Sequence, residues 1–182
     1  MFDLRPVLDQ LSVPGNFEIT VPQYFNFGID VIDARAAEGD KTAYIWVDRS
    51  GGVVEHHSFS DLSQASNRFA NVLHQVGARK GDCAVVIMPR IPAWYEVVIG
   101  CIKVGVVAMP GTNLLTAKDI EYRINKSNAT VVVVSMEHVS KIESIKDRCP
   151  TLAHLILVGG EQDRWISYDK ACAEAGVQAD PG

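Results

Sequence analysis

Few side chains in this 182-residue chain have the type and spacing to do chemistry together. Of the five histidines, His56 and His57 are adjacent on an extended stretch and point to opposite faces, a poor pair for one metal ion. His138 follows a valine-rich segment where an acid or base could act, but no Ser or Cys nucleophile constellation accompanies it. Structural or surface roles are the reading for all five, with His74 and His154 included. Arg90 has the charge and fork geometry to bind an anion, and equally to form a surface ion pair or cap nearby carbonyls. Trp94 and Tyr95, just after Pro92, suit either the lining of a pocket or packing against a sheet. The cysteines Cys83, Cys101, Cys149 and Cys172 are 18, 48 and 23 residues apart with no C-x-x-C pair. Free thiols in a reducing compartment are therefore expected, not a disulfide scaffold or a zinc site. The phosphate-binding patterns G-x-G-x-x-G and G-x-x-x-x-G-K-[ST] are both missing. Gly77-Ala78-Arg79-Lys80-Gly81 has glycines and a lysine but reads as a helix-to-strand turn. No catalytic residue and no metal ligand is assigned.

The elements that would position these groups follow from periodicity. Residues 1–21, with Pro6, Pro14 and Gly15, read as an irregular lead-in, and 22–182 as one incomplete α/β subdomain. A helical pattern opens at Pro22 and stops at Gly39. Thr42–Val47 and Val53–Phe59, joined by Asp48-Arg49-Ser50-Gly51-Gly52, form a hairpin. Ser58 to Asp61 has the shape of a capping box, and Leu62, Ala65, Phe69, Val72, Leu73 and Val76 give the following helix one apolar face. Short strands at Cys83–Met88, Val106–Met109, Thr130–Ser135 and His154–Val158 then alternate with helices at Pro92–Val104, from Thr116 through Asn125, and at Val139–Arg148. Pro110-Gly111 is read as breaking the second of these strands. Continuous apolar strands between helices predict a mostly parallel sheet covered by helices on both faces, preceded by the hairpin. In such a sheet, ligands gather at the carboxyl ends of the strands. The loops Pro89–Pro92, Pro110–Asn113, Met136–His138 and Gly159–Glu161 are the ones that line that edge.

Composition bounds the rest. Hydrophobic residues make up 47% and charged residues 21%, a balance that belongs to a globular chain and not to a disordered one. The net charge of −5, with no long run of one sign, argues against nucleic acid as the partner. Charges at Asp3, Arg5 and Asp9 interrupt the place where a signal peptide has its apolar stretch. No apolar run approaches the ~20 residues of a membrane span, so the expectation is a cytoplasmic protein.

Five stretches together resemble the AMP-forming acyl-CoA synthetases of the adenylate-forming superfamily, the medium-chain branch above all. They are Val21–Phe27, His57–Leu62 with its helix, Met88–Trp94, Gly100–Thr112 and Thr116–Arg123. The second and fourth look like the first two core motifs of adenylation domains, and the set runs in family order to the region of Trp165.

The resemblance implies a two-step reaction in fatty acid metabolism. A carboxylic acid attacks ATP to give an acyl-adenylate and pyrophosphate, and the thiol of coenzyme A then displaces AMP. It also implies a Ser/Thr/Gly-rich phosphate loop ending in Pro-Lys, Mg²⁺ on the phosphates, and a small C-terminal domain with a catalytic Lys. None of these is within the 182 residues. The chain therefore reads as an N-terminal part of such a ligase, inactive alone. The alternative is a stand-alone, non-enzymatic α/β binding or interaction domain derived from that fold. Neither ATP, Mg²⁺ nor coenzyme A is expected to bind this part tightly. In the family, the loop matching Pro110–Leu115 lies by the channel for the pantetheine arm of coenzyme A. That makes Leu114, where some relatives have Gln, and its neighbours Thr112 and Asn113 the candidate channel-lining residues. Self-association is a further expectation, through a terminal strand edge at His154–Val158 and the helix faces around Trp94–Ile102.

Overall fold

Four consecutive valines, Val131–Val134, can all be fully buried only in a strand covered on both faces, and each of them is. They lie in β5 (Val131–Ser135), at the centre of a five-stranded sheet. The computed structural model describes residues 22–39 and 41–178, so the lead-in expected over 1–21 lies outside the described residues. A π-helical turn, Phe27–Asp33, runs into the short helix α1 (Ala34–Ala37). The antiparallel hairpin β1 (Thr42–Val47) and β2 (Val54–Ser58) follows, then α2 (Phe59–Gln75). The sheet begins with β3 (Cys83–Ile87), α3 (Pro92–Lys103) and β4 (Val107–Gly111). It continues through α4 (Ala117–Ser127), β5, α5 (Val139–Glu143) and β6 (His154–Val158). It ends with the two-residue β7 (Ile166–Ser167) and α6 (Tyr168–Glu174).

All pairings in the sheet are parallel, in the order β4-β3-β5-β6-β7. The side-chain alternation of the strands divides the core in two. Val86, Val131, Val133 and Ile156 pack with Phe69 and Leu73 of α2, Val97 and Cys101 of α3, and Tyr168 of α6. Val85, Ile87, Val132, Val134 and Leu157 pack with Ile120 and Ile124 of α4, Ile142 of α5, and Trp165. Helix starts obey their caps. Ser58 with Asp61, and Thr116 with Asp119, each form a reciprocal capping box. Thr116→Ala is expected to cost about 1 kcal/mol in a urea titration.

Several elements differ from expectation. The first helical turn begins after Asn26, not at Pro22, because the Asn26 side chain accepts from Gly28 N and its amide donates to the carbonyls of Ile102 and Lys103. Pro110 and Gly111 do not break β4; they pair with Val86 and Ile87. Val107 N donates towards Asp82 O, on the β3 side, so by alternation Pro110 has its missing N–H on the free edge of an edge strand. The helix expected over Val139–Arg148 stops at Glu143, where Ser144 Oγ turns back to Lys141 O, and a 3-10 turn takes over at Lys146–Arg148. His154–Val158 is not a terminal edge, because Ile156 and Leu157 pair with Ile166 and Ser167 of β7. On α3, Val97, Ile99, Gly100 and Cys101 are buried. Part of each surface on which self-association was expected is thus internal to this chain, while Trp94, Tyr95, Val98 and Ile102 stay partly exposed.

α2 and α3 pack tightly at Gly100, where an added Cβ would lie 2.9 Å from Ser66 O and 2.9 Å from Phe69 Cδ1. Gly100→Ala should destabilise the chain by about 1–3 kcal/mol, seen as a lower urea midpoint. Beside it, the Lys103 side chain is 1% exposed. Its ammonium lies 2.6 Å from Asp33 Oδ1, and donates to Asn67 Oδ1 at 2.5 Å and Ser63 O at 3.2 Å. Ser63 Oγ donates to the same Asp33 oxygen at 2.6 Å. The network ties the N-terminal turn to α2 and α3. No helix among the described residues is long and apolar enough to cross a membrane.

Candidate functional site

After β3 the chain steps to β4 on one side, then crosses to β5 on the other. The switch point of this doubly wound sheet therefore lies at the carboxyl ends of β3 and its neighbours, the place where open α/β sheets bind ligands. A cleft of about 340 Å³ opens there, walled by Met88–Arg90 and Trp94 on one side and Pro110–Asn113 on the other. Two of the loops expected at this edge, those after β3 and β4, form it. The loops after β5 and β6 do not reach it.

The β3 side is held by aromatic contacts. The Arg90 guanidinium sits 4.0 Å above the Trp94 ring, a cation–π pair. Trp94 meets Tyr95 edge-on at 5.1 Å, Tyr95 stacks on Tyr44 of β1 at 4.7 Å, and Tyr44 stacks on His57 of β2 at 4.6 Å. Trp46 Nε1 donates to the Arg90 carbonyl at 2.7 Å. The hairpin thus docks on the site's edge through a ladder of rings. Of the open alternatives for Arg90, Trp94 and Tyr95, Arg90 takes an aromatic partner, Trp94 both lines the cleft and packs on the core, and Tyr95 packs.

The β4 side is held by charge. Lys141 of α5 donates to Leu115 O at 2.8 Å and Asn113 O at 3.4 Å, so one ammonium pins the loop from another element. Gly111 packs closely where the loop leaves the strand, and a Cβ there, 2.6 Å from Leu115 Cδ1, would make that side chain shift. Thr112 is exposed, and its Oγ1 accepts from Leu114 N at 3.3 Å. Asn113 turns its Oδ1 into the protein, where the atom is buried without a partner. The Leu114 side chain is 87% exposed and is not among the residues that wall the cleft.

His138 is 2% exposed, and its two ring nitrogens make no hydrogen bond among the described residues. Glu137 Oε1 is 3.3 Å from Nε2 but out of hydrogen-bonding alignment. Burial, then the Lys141 ammonium, pushes its pKa below the ordinary histidine value, against the pull of Glu137. It is a neutral, buried ring and not part of the cleft. A histidine whose folded pKa is depressed takes up its proton more readily when unfolded, so stability falls as pH drops below about 6.5. His138→Leu should keep or raise stability at neutral pH and reduce that acid loss, measured by urea midpoints at about pH 7.5 and about pH 5.5.

The cleft thus gathers one cation, a threonine hydroxyl and an aromatic wall, with no carboxylate and no activated nucleophile, an arrangement that can bind but has no reacting group. All four cysteines are free thiols, and no group of three or more His, Cys, Asp or Glu among the described residues could hold a metal ion. Sequence reasoning missed Lys141, because a single lysine in a five-residue helix carries no periodic signal. It also missed the ring ladder, whose members come from three elements.

The sequence profile of the AMP-binding enzyme family matches residues 32–180. The mitochondrial acyl-coenzyme A synthetase ACSM4 of Rattus norvegicus is 36% identical over 176 residues, covering 92% of this chain and 30% of that protein. The mitochondrial acyl-coenzyme A synthetase ACSM1 of Mus musculus is 36% identical over 172 residues, covering 90% and 30%. The chain therefore spans about 30% of the length of the curated relatives it matches. Their names carry a mitochondrial location, so they lend no support to the cytoplasmic expectation. Among solved structures, an acyl-CoA synthetase from Brucella canis superposes with a TM-score of 0.79 at 23% identity, over 100% of this chain and 32% of that one. The anthranilate CoA ligase AuaEII, in complex with anthranoyl-AMP, gives 0.75 at 22% identity, over 88% and 30%. These two likenesses establish the fold: the parallel α/β sheet with its hairpin is that of the N-terminal region of adenylate-forming enzymes. On the match of its sequence over residues 32–180, the chain belongs to the AMP-binding enzyme family, as an N-terminal part whose sequence relatives are medium-chain acyl-coenzyme A synthetases.

Proposed function

We propose that this chain supplies the N-terminal α/β layer of an AMP-forming acyl-CoA synthetase, which joins a carboxylic acid to coenzyme A at the expense of ATP, and that alone it is inactive. The observation that carries the reading is the cleft at the switch point, bounded by Pro110–Asn113. Asn113, at the cleft wall with its inward-turned Oδ1 lacking a partner, would accept from a ligand amide N–H of the kind the pantetheine arm presents once its side chain rotates outward. Thr112 supports that wall through its bond to Leu114 N, while Leu114 itself is exposed to solvent. For ATP and Mg²⁺ the described residues hold neither a phosphate cradle nor a carboxylate cluster, so no step is assigned to them here. Arg90 would orient a ligand and Lys141 would keep the loop in place.

The experiment is a pair of measurements on the purified 182-residue chain. Carboxylate-dependent ATP–pyrophosphate exchange should stay at the level of a mock preparation, since adenylyl transfer depends on positioned charges that this chain does not bring together. Coenzyme A should quench Trp94 fluorescence weakly, and Asn113→Leu should remove the quenching. Exchange above background overturns inactivity, and quenching unaffected by Asn113→Leu overturns the site. A second reading, a non-catalytic binding domain on the same fold, is favoured by the closed core on both faces of the sheet. It is adopted if the chain is expressed as a 182-residue protein and binds another ligand in preference to coenzyme A. The cytoplasm is the proposed compartment, and recovery of the chain in a mitochondrial fraction would overturn it.

A further inference from the structure

Away from the cleft, α4 shows solvent a groove that the proposed function leaves unused. It is open, about 860 Å³ in volume, and lies between the helix and the 3-10 turn at Lys146–Arg148. Two rows of α4 at four-residue spacing build it. Ala117, Glu121 and Asn125 form the row nearer the turn, where Glu121 takes Arg148 in a two-pronged ion pair at 3.0 and 2.8 Å and Asn125 donates to Arg148 O at 3.1 Å. Lys118, Tyr122 and Lys126 form the outer row. The groove therefore runs along the helix axis for eight residues, about 12 Å.

Its chemistry is uneven. Three cations and one carboxylate line it, in a chain of net charge −5, and both oxygens of that carboxylate are committed to Arg148. Lys118 and Lys126 form no ion pair among the described residues. Asp119, in the next row round the helix, is engaged in the Thr116 capping box. Between the two lysines the Tyr122 side chain stands 67% exposed. Cation, aromatic ring and cation thus sit in line one turn apart.

We propose that this groove is a docking site for an acidic amphipathic helix of another protein, which lays two carboxylates two turns apart on Lys118 and Lys126 and an apolar side chain on Tyr122. The spacing decides the kind of occupant. Two lysines about 12 Å apart along an axis are too far apart for one phosphate or one carboxylate, while a helix laid alongside repeats its own side chains at the same interval. The charge sign favours an acidic partner, and the exposed ring supplies the apolar contact that distinguishes a fitted helix from a loose counter-ion.

The probe is a synthetic peptide of about 18 residues, long enough to form a helix, with Glu at two positions eight apart and Leu midway. The full chain, labelled with ¹⁵N, is titrated with this peptide and with its Glu→Gln counterpart. Saturable amide shifts at Lys118, Tyr122, Lys126 and Arg148 are expected, with affinity about tenfold weaker for the Gln peptide and weakened by added salt. The double variant Lys118→Glu/Lys126→Glu should lose the acidic peptide and gain its Lys-bearing counterpart, a swap that a misfolded variant could not produce. The proposal fails if no saturable shifts appear at millimolar peptide, if they fall elsewhere, or if the Gln peptide binds equally well. It also fails if anionic phospholipid vesicles, and not the peptide, shift these residues, which would make the face a membrane contact.

Discussion

Asp33→Ala should lower the folding free energy by about 3 kcal/mol, the largest single effect expected from a polar residue in this chain. The reason is what it leaves behind. The Lys103 ammonium is buried, with Asp33, Asn67 and Ser63 as its partners. Removing Asp33 strips its one counter-charge, and the Ser63 hydroxyl loses its acceptor as well. Lys103→Met should cost less, because it removes the buried charge together with its desolvation and leaves Asp33, which is 28% exposed, in contact with water. The double variant should then be more stable than Asp33→Ala alone, a coupling that urea titrations of the four proteins would read directly. Burial lowers the Lys103 pKa, although Asp33 raises it in return. The unfolded chain therefore binds the proton more readily across that window, and Lys103's own contribution becomes more favourable as pH rises towards the ordinary lysine value. If Asp33→Ala costs less than about 1 kcal/mol, the ammonium is not the buried charge the geometry describes.

That network shows where sequence reading ends. Lys103 lies in a stretch whose apolar residues make the helix α3 plain, and a lysine within it looks like an ordinary exposed position of an amphipathic helix. Only the register of three elements, fixed by Asn26 capping into the end of α3 and by Gly100 against Ser66, turns the lysine inward. Strands were legible for the opposite reason. Val131–Val134 and His154–Val158 depend on burial over a few neighbouring positions, which is written locally, as are the reciprocal caps at Ser58 and Thr116. β7 was not legible because its two residues, Ile166 and Ser167, make too short a run to carry a period, and its pairing to β6 is set by tertiary contact. Pro110 misled because a proline reads as a strand breaker, whereas at the edge of a parallel sheet it costs no ladder bond. The position of the cleft at the carboxyl ends of β3 and β4 was legible from topology, although the loops after β5 and β6, expected there too, do not line it. The parts of the site that depend on one side chain crossing to another element, Lys141 on the Leu115 carbonyl and Arg90 over Trp94, were not.

Stability should fall steeply above about pH 9, and the groups responsible are identifiable. Burial first of all pushes the thiols of Cys101 and Cys172 up to about 12, from an ordinary 9.0. Burial likewise raises the phenols of Tyr168 and Tyr44 above their usual 10.0, with Glu96 adding to both shifts. A group whose folded pKa is raised holds its proton in the native chain while the unfolded chain releases it. Its contribution is complete below the unfolded value, and is lost as pH rises from there through the folded value. Burial raises the Cys149 thiol in the same way, so among the described residues five groups act in this direction against Lys103 in the other, and the net slope is downward. The buried thiols are each capable of a loss of a few kcal/mol across the window. Tyr168 gives the sharpest test, because its hydroxyl donates to Glu96 Oε2 and so ties α6 to α3. Tyr168→Phe should lower stability at about pH 7.5 by about 1–2 kcal/mol, through the lost bond and the carboxylate left without it. The same variant should lose less than the parent chain between about pH 7.5 and about pH 10.5, because it has no phenol to ionise. Urea midpoints at the two pH values, for both proteins, provide the comparison. A parent chain equally stable at both, or a Tyr168→Phe variant with an undiminished alkaline loss, would show that the Tyr168 hydroxyl is not held in the dry, carboxylate-facing site between α3 and α6.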